Sequence, residues 1–189
     1  MSASVEQTGA RPDFRRTYSY LPSIAKPILA AINGPAAGLG LVIALYCDLR
    51  FASDQARFST AFARRGLIAE HGLSWMLPRL VGVAHALDLI FSARLVDAAE
   101  ARTMGLVNRV VPHDQLLEDV RGYAAELAHA VSPRSLRVMK RQVYNALFQT
   151  LGEAIDTANE EMLQSFASAD FREGVAHFLE KRPANFLGR

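Results

Sequence analysis

Lys26-Pro-Ile-Leu-Ala-Ala-Ile-Asn-Gly-Pro-Ala-Ala-Gly-Leu-Gly-Leu41 is the stretch of this 189-residue chain that decides its fold. Its apolar run 28–32 predicts a buried strand, and Asn33-Gly34-Pro35 predicts the turn that ends the strand. The segment Gly38–Tyr46 is apolar on every side, and its Ala and Leu content favours a fully buried helix. A strand, a glycine-rich turn and a buried helix in this order indicate an α/β fold.

The alternation of strands and helices continues to about residue 111. Further short strands are predicted at Leu49–Ala52, Ala56–Phe58 and Val107–Val111. Helical patterns cover residues 73–80 and 84–91, and Val81-Gly82-Val83 separates them. The apolar segments thus predict one core built from strands and helices together.

Capping residues mark the starts of several helices. Asp97-Ala-Ala-Glu100 is a capping box that opens a short helix ending at Gly105. Ser132-Pro133 is an N-cap followed by a proline at the first helical position. Asp170-Phe-Arg-Glu173 predicts a second capping box before the last helix. We therefore predict three parts, which are a polar lead-in over 1–22, an α/β core over 23–111 and a helical region over 112–189.

The composition is that of a globular chain with a sizeable core, since 50% of the residues are hydrophobic and 21% are charged. The net charge is only +2, and the densest basic stretch, Arg134–Arg141, alternates with apolar residues like one face of an amphipathic helix. We therefore expect no nucleic-acid partner. The single cysteine, Cys47, cannot form an intramolecular disulfide and fits a reducing cytoplasm. No secretory signal precedes the core, and the apolar run Gly38–Cys47 is too short to span a bilayer, so no membrane partner is expected.

The glycine turn Gly34-Pro-Ala-Ala-Gly38-Leu-Gly40 is the first candidate for chemistry. It matches neither a phosphate-binding loop with Gly-Lys-Ser/Thr nor the dinucleotide-binding glycine spacing. Glycines at the start of a helix let a ligand approach the backbone, and the first amides of a helix have no internal acceptor. Such amides suit an oxygen that carries negative charge. A tight strand-to-helix turn chosen for packing is the alternative interpretation.

The stretch Lys26–Leu41, followed by Cys47-Asp48-Leu49-Arg50-Phe51-Ala52, resembles the central motif of the enoyl-CoA hydratase/isomerase (crotonase) family. The resemblance covers nearly the whole chain from about residue 20, in the order of the family's motifs. It continues through Gly66-Leu67-Ile68, Leu77–Gly82, Asp97–Ala101, Gly105-Leu106-Val107, Arg172–Val175 and Phe178–Arg182.

The resemblance implies a crotonase-like spiral of ββα turns with a C-terminal helical region that packs at a trimer interface. It also implies that two backbone N–H groups stabilise a thioester enolate, and the second of them would be the amide of Leu39, flanked by Gly38 and Gly40. The family's usual N-terminal portion, which supplies the first amide, is not found in residues 1–25, so we expect an N-terminally incomplete fold. The resemblance further implies that Lys181 meets the phosphates of CoA, and a solvated lysine is the alternative.

The family's hydratases use two glutamates, and this sequence has Val42 and Phe62 at the matching positions. Neither side chain can orient water or accept a proton. Glu70 stands where some isomerases of the family carry their acid/base, and a surface acid is the alternative interpretation. We expect His71 to line the substrate site with Gly38, Gly40 and Phe62. From its position alone a structural or solvent-facing histidine is favoured, because side chains of sequence neighbours usually diverge.

These observations predict an enzyme that acts on an acyl-CoA thioester through an oxyanion hole. Isomerase-like chemistry with one carboxylate is favoured over hydration with two. The alternative is a non-catalytic crotonase-fold subunit that binds acyl-CoA or assembles with paralogues. A homotrimer or hexamer is expected. Coenzyme A enters as part of the substrate, and no metal or separate cofactor is expected, because the five histidines lack paired ligand spacing.

Overall fold

A computed structural model of the protein describes residues 11–189, so the first ten residues of the predicted polar lead-in lie outside the described part. The chain divides into two compact units. The first, called the sheet unit, contains Arg16–Leu21 and Ile28–Gly122. The second, called the helical unit, contains residues 11–15, Pro22–Pro27 and Tyr123–Arg189. The predicted boundaries at residues 22/23 and 111/112 stay a prediction.

Two three-stranded sheets form the sheet unit. The first has the order β1-β3-β6 and is parallel throughout. The second has the order β2-β4-β5, with β4 parallel to β2 and antiparallel to β5. The strands are β1 Leu29–Ile32, β2 Pro35–Ala37, β3 Leu49–Ser53, β4 Arg57–Ser59, β5 Val96–Asp97 and β6 Arg109–Val111. The predicted α/β character is confirmed, and the last predicted strand begins two residues later than expected.

Three helices accompany these sheets, namely α1 Leu39–Tyr46, α2 Leu73–Ser92 and α3 Ala98–Thr103. Gly82 interrupts α2 with φ 77° and ψ 162°, so α2 is two helical segments joined at a break, as the sequence predicts. The Asp97 side chain accepts the Glu100 amide and caps α3, as predicted. The other half of the predicted capping box is not found among the described residues, since the Glu100 carboxylate accepts hydrogen bonds from Arg94. Short 3₁₀ turns occupy Ala63–Arg65 and His113–Gln115.

The core of the sheet unit gathers around α1. Leu41, Val42 and Leu45 are almost completely buried, as are residues of α2, α3 and the strands. The prediction that α1 is apolar and buried on every side is wrong for one face, because Leu39 is 36% exposed and Ile43 is 40% exposed. These two residues are four positions apart, so they share one face of the helix.

By length and apolar composition α2 could cross a membrane, which the sequence analysis did not notice. The core helix of a globular protein passes the same test, and Leu73, Met76, Leu77 and Leu89 of α2 are buried against the core of the sheet unit. The break at Gly82 also leaves neither half of α2 long enough to span a bilayer.

The helical unit is built on α5 Pro133–Ala146, α6 Leu151–Phe166 and α7 Ala169–Glu180, with the later part of α4 Leu116–Ala130. Ser132 caps α5 ahead of Pro133, as predicted. The predicted capping box at Asp170 is wrong, because Ser168 is the N-cap and α7 begins at Ala169. Asp170 is instead buried in the first turn of α7, where its carboxylate accepts the Ser132 hydroxyl and the amides of Leu187 and Gly188.

Candidate active site

The glycine turn places the start of α1 immediately after β2. Gly38 has φ 52° and ψ −121°, a left-handed conformation that favours glycine, and it caps α1 without a side-chain bond. Its amide donates to the Ser59 carbonyl of β4 at 3.1 Å, which fixes the turn on the sheet. Its carbonyl accepts the Val42 amide at 3.1 Å, so the internal hydrogen bonds of α1 begin with Val42.

The amides between these two bonds are those of Leu39, Gly40 and Leu41. No acceptor for them is found among the described contacts of the chain. Leu39 and Gly40 are exposed, and no atom comes within 4 Å of the position that a Cβ on Gly40 would take. The N-terminal end of α1 is therefore open, with free N–H groups and the positive end of the helix dipole directed outwards. The role of Leu39 as an oxyanion donor stays a prediction.

Phe62 lies beside this helix end. Its Cζ atom is 4.0 Å from the position that a Cβ on Gly38 would take, and the Thr60 carbonyl is 3.9 Å from the same position. Ala61 has φ 61°, and the Phe62 amide donates to the Thr60 carbonyl at 2.8 Å, which makes a tight turn after β4. The ring is buried, so Phe62 supplies an apolar wall.

A small, partly open recess lies beside Phe62. Its lining is apolar except for Thr60, whose hydroxyl donates to the Leu89 carbonyl at 2.7 Å and so is already bonded. Leu67 and Ile68 are strongly exposed and form the outer rim. The remaining lining residues are Ala63, Ala69, Leu73 and Ile90. Its apolar lining favours contact with a hydrocarbon group over a polar one.

Glu70 follows the recess residue Ala69 in the loop before α2. Its side chain is 32% exposed, and its Oε2 atom lies 3.5 Å from His71 Nε2. The prediction that His71 lines the substrate site stays a prediction, and so does the alternative of a structural or solvent-facing histidine, since its side chain is 37% exposed. His71 faces Glu70, and its ring also contacts Tyr18 edge-to-face with the ring centroids 4.8 Å apart.

The loop that carries Glu70 is fixed by left-handed residues and by Tyr46. Gly66, His71 and Gly72 have φ angles of 69°, 53° and 79°. The Tyr46 hydroxyl, at the C-terminal end of α1, donates to the His71 carbonyl at 2.9 Å. Burial raises the pKa of Tyr46, so this hydroxyl stays protonated as a donor.

Lys181 lies in the helical unit. It ends α7 in a left-handed conformation with φ 54°, its side chain is exposed, and its amide donates to the His177 carbonyl. Its expected contact with CoA phosphates stays a prediction. The sequence analysis missed Tyr18 and Tyr46 at the Glu70 loop, and no local signal marks them, because Tyr46 looks like any other apolar residue of α1.

Comparison with known proteins gives one consistent result. The model of the enoyl-CoA hydratase/isomerase family matches residues 1–189. A probable enoyl-CoA hydratase of Mycobacterium bovis is 37% identical over 177 residues, which cover 94% of this chain and 68% of the relative. The 1,2-epoxyphenylacetyl-CoA isomerase of Escherichia coli is 34% identical over 195 residues, with 98% and 74% covered. The crystal structure of an enoyl-CoA hydratase from Bacillus anthracis has a TM-score of 0.89 at 31% identity, over 93% of this chain and 68% of that one. The chain spans about two thirds of the length of such relatives.

Proposed function

Because this chain belongs to the enoyl-CoA hydratase/isomerase family and has the crotonase fold with a C-terminal helical region, we propose that it moves the double bond of an enoyl-CoA thioester. The observation that supports the proposal is the open N-terminal end of α1, where the Leu39 amide has no acceptor among residues 11–189. A thioester oxygen at this end of α1 would accept a hydrogen bond from the Leu39 N–H group. Charge that develops on the oxygen in the transition state is then stabilised more than the neutral thioester of the ground state.

Glu70 is the proposed acid/base. Its carboxylate removes a proton from C2 of a 3-enoyl thioester, and the electron pair of that C–H bond delocalises onto the thioester oxygen as a dienolate. The carboxylic acid then returns the same proton to C4, and a double bond remains between C2 and C3. Proton and charge balance without water, metal or a separate cofactor, since coenzyme A is carried by the substrate.

Hydration is the less favoured reaction because it needs groups that orient a water molecule. Val42 is 1% exposed and Phe62 is 9% exposed, and both are packed in the core of the sheet unit. The recess beside Phe62 is lined mainly by apolar side chains. One carboxylate that moves one proton between two carbons fits these surroundings better than two carboxylates that activate water.

Glu70→Gln tests the proposal, because glutamine keeps the shape of the side chain but cannot accept the proton. We expect turnover of 3-enoyl-CoA to fall by about 10²–10⁴-fold, the usual contribution of a positioned general base. Glu118→Gln on α4 is the matched control, since Glu118 is exposed and starts a helix away from the loop. Unchanged turnover in Glu70→Gln, with both 3-enoyl-CoA and 2-enoyl-CoA as substrates, would contradict the role of Glu70.

The apolar residues at positions 42 and 62 also support a second candidate function, a subunit that binds acyl-CoA without converting it or assembles with paralogues. Calorimetric titration with acyl-CoA and a turnover assay on the same preparation separate the two candidates. Saturable binding without turnover of either enoyl-CoA favours the binding subunit. Turnover that depends on Glu70 favours the isomerase.

A homotrimer or hexamer is part of the same proposal. The helical unit leaves large apolar side chains exposed, which is unusual for a surface that stays in water. They include Met139, Val143, Leu151, Ile155, Leu163, Phe166, Phe178 and Leu179. Light scattering at several protein concentrations measures the mass, and a monomer at every concentration would contradict the expected assembly.

A further inference from the structure

His71 and Glu70 are neighbours in the chain whose side chains meet. Adjacent residues in a helix or a strand point in different directions, so such a meeting needs an unusual backbone. The φ of 53° at His71 supplies it, because a left-handed residue turns the chain back on itself. His71 Nε2 thereby lies 3.5 Å from Glu70 Oε2. Building on the proposed function, we infer that His71 is a positioning residue that holds the Glu70 carboxylate through Nε2–H.

The left-handed conformation of His71 is held from the core side. The Tyr46 hydroxyl donates to the His71 carbonyl at 2.9 Å, and Tyr46 is buried at the end of α1. Gly72, the next residue, has φ 79°, and a Cβ there would overlap the Tyr46 hydroxyl. A histidine with positive φ is a conformational cost that persists only where its surroundings impose it. The strain therefore lies at the residue that directs an imidazole onto Glu70.

The imidazole ring is held from a second side. Tyr18 contacts it edge-to-face at an interplanar angle of 72°, a geometry that favours this orientation of the ring. The His71 side chain is 37% exposed and that of Glu70 is 32% exposed, so the pair stands at the surface where a substrate can reach it. No other charged side chain is found in ion-pair contact with Glu70 among residues 11–189.

A distance of 3.5 Å is long for a hydrogen bond, and bonds of this kind shorten when a substrate binds. With Oε2 held by Nε2–H, the second oxygen of Glu70 is the one left to take and return the proton. A carboxylate held in one orientation meets the reacting carbon at a fixed distance, which acts on the chemical step and not on the binding of substrate. Loss of His71 should therefore lower kcat and leave KM unchanged.

Two substitutions at position 71 separate positioning from folding. In His71→Gln the side-chain amide nitrogen lies about as far from the backbone as Nε2 of histidine, so it can donate to Glu70. The asparagine side chain in His71→Asn is too short to reach Glu70. Asparagine also tolerates a positive φ better than glutamine, so misfolding would damage the glutamine variant first. We expect kcat to fall about tenfold in His71→Asn, a part of the usual contribution of a general base, and to stay near wild type in His71→Gln. His85→Asn, exposed on α2, is the control.

The pair of variants His71→Asn and Glu70→Gln completes the test. If His71 acts through Glu70, His71→Asn has no further effect on kcat once Glu70→Gln is present. Loss of turnover in Glu70→Gln together with wild-type kcat in His71→Asn overturns the positioning role alone. Wild-type kcat in Glu70→Gln overturns the proposed function instead.

A readout without turnover tests the contact in either case. In protein labelled with ¹⁵N at histidine, the Nε2 signal of His71 should report a bound proton and should shift in Glu70→Gln but not in Glu118→Gln. A His71 signal that is the same in wild type and Glu70→Gln overturns the inference, whether or not the chain converts enoyl-CoA.

Discussion

The two ends of α1 differ in whether their backbone groups have hydrogen-bond partners. At the C-terminal end, the buried Arg50 guanidinium donates to the carbonyls of Cys47 at 2.7 Å and Ala44 at 3.4 Å, and also to that of Leu106 at 2.9 Å. At the N-terminal end, the amide of Leu39 has no acceptor in the described part of the chain, and Leu39 is exposed. A helix end buried without partners is costly, whereas an open end with free N–H groups is an anion site. One helix thus serves stability at one end and, in our proposal, chemistry at the other.

Replacing Arg50 at the C-terminal end of α1 should lower the stability of the protein the most. In Arg50→Met the carbonyls of Cys47 and Leu106 lose this donor in the interior, whereas the Ala44 carbonyl still accepts the Cys47 amide. Acceptors left without donors cost about 1–3 kcal/mol each, so we expect a loss of about 2–6 kcal/mol in the free energy of unfolding. Urea unfolding measures it. Arg57→Met on β4 is the matched control, since Arg57 is exposed, and it should change stability little. Equal stability of the two variants would show that Arg50 does not stabilise the C-terminal end of α1.

Gly72→Ala should cause the next largest loss of stability. Its φ of 79° disfavours any side chain, and the new Cβ would overlap the Tyr46 hydroxyl, so the loop before α2 must move. We expect a loss of about 2–3 kcal/mol by urea unfolding. Gly122→Ala, within α4 and with open space around it, should instead gain about 0.5–1 kcal/mol. A neutral Gly72→Ala would mean that Tyr46 and the loop are not locked together.

Tyr46→Phe is a smaller change at the same place. It removes only the hydroxyl that donates to the His71 carbonyl, and we expect a loss of about 1 kcal/mol. The variant loosens the loop of Glu70 and leaves the hydrogen bonds at both ends of α1 in place. Turnover should therefore fall in Tyr46→Phe without a change in the helical content measured by circular dichroism. Wild-type turnover in a measurably destabilised variant would separate the loop from the chemistry.

Lowering the pH should have the smallest effect on stability, and it acts through Glu173 in α7 and not through α1. Hydrogen bonds from the Arg182 guanidinium and the Asn185 amide lower the pKa of Glu173 to about 2, from 4.5. A lowered pKa stabilises the fold above the ordinary value, and the contribution disappears as the pH falls from 4.5 towards about 2. The unfolding midpoint in urea should drop over this range, and less so in Glu173→Gln. Identical pH profiles would contradict the role of Glu173. At the C-terminal end of α1, Arg50 binds carbonyls, which do not titrate.

Local signals in the sequence predicted much of the fold. The strand, turn and helix at 28–46, the break at Gly82 and the caps at Asp97 and Ser132 all depend on residues close together in the chain, and the structure confirms them. The capping box at Asp170 failed for the opposite reason. Its carboxylate is used by Ser132 and by the chain near Gly188, which no short motif reveals.

The candidate site also has features that the sequence could predict and features that it could not. The free amide of Leu39 could be predicted, because every helix leaves its first N–H groups without internal acceptors. The meeting of Glu70 with His71 could not, since it depends on a positive φ that is imposed by Tyr46, 25 residues away. Nor could the exposure of Leu39 and Ile43, since an apolar residue on a helix does not tell which face the rest of the chain will cover.

An oxyanion site at the start of α1 depends on the backbone N–H group of Leu39, and Leu39→Pro removes that group. Proline fits the first position of a helix and lacks the N–H group, so α1 should form while the donor is lost. Leu39→Ala shortens the side chain and keeps the donor. With both variants shown to be folded by thermal unfolding, turnover of 3-enoyl-CoA should fall about a hundredfold or more in Leu39→Pro, and Leu39→Ala should retain most of it. Equal turnover in the two variants would contradict an oxyanion site at the open end of α1.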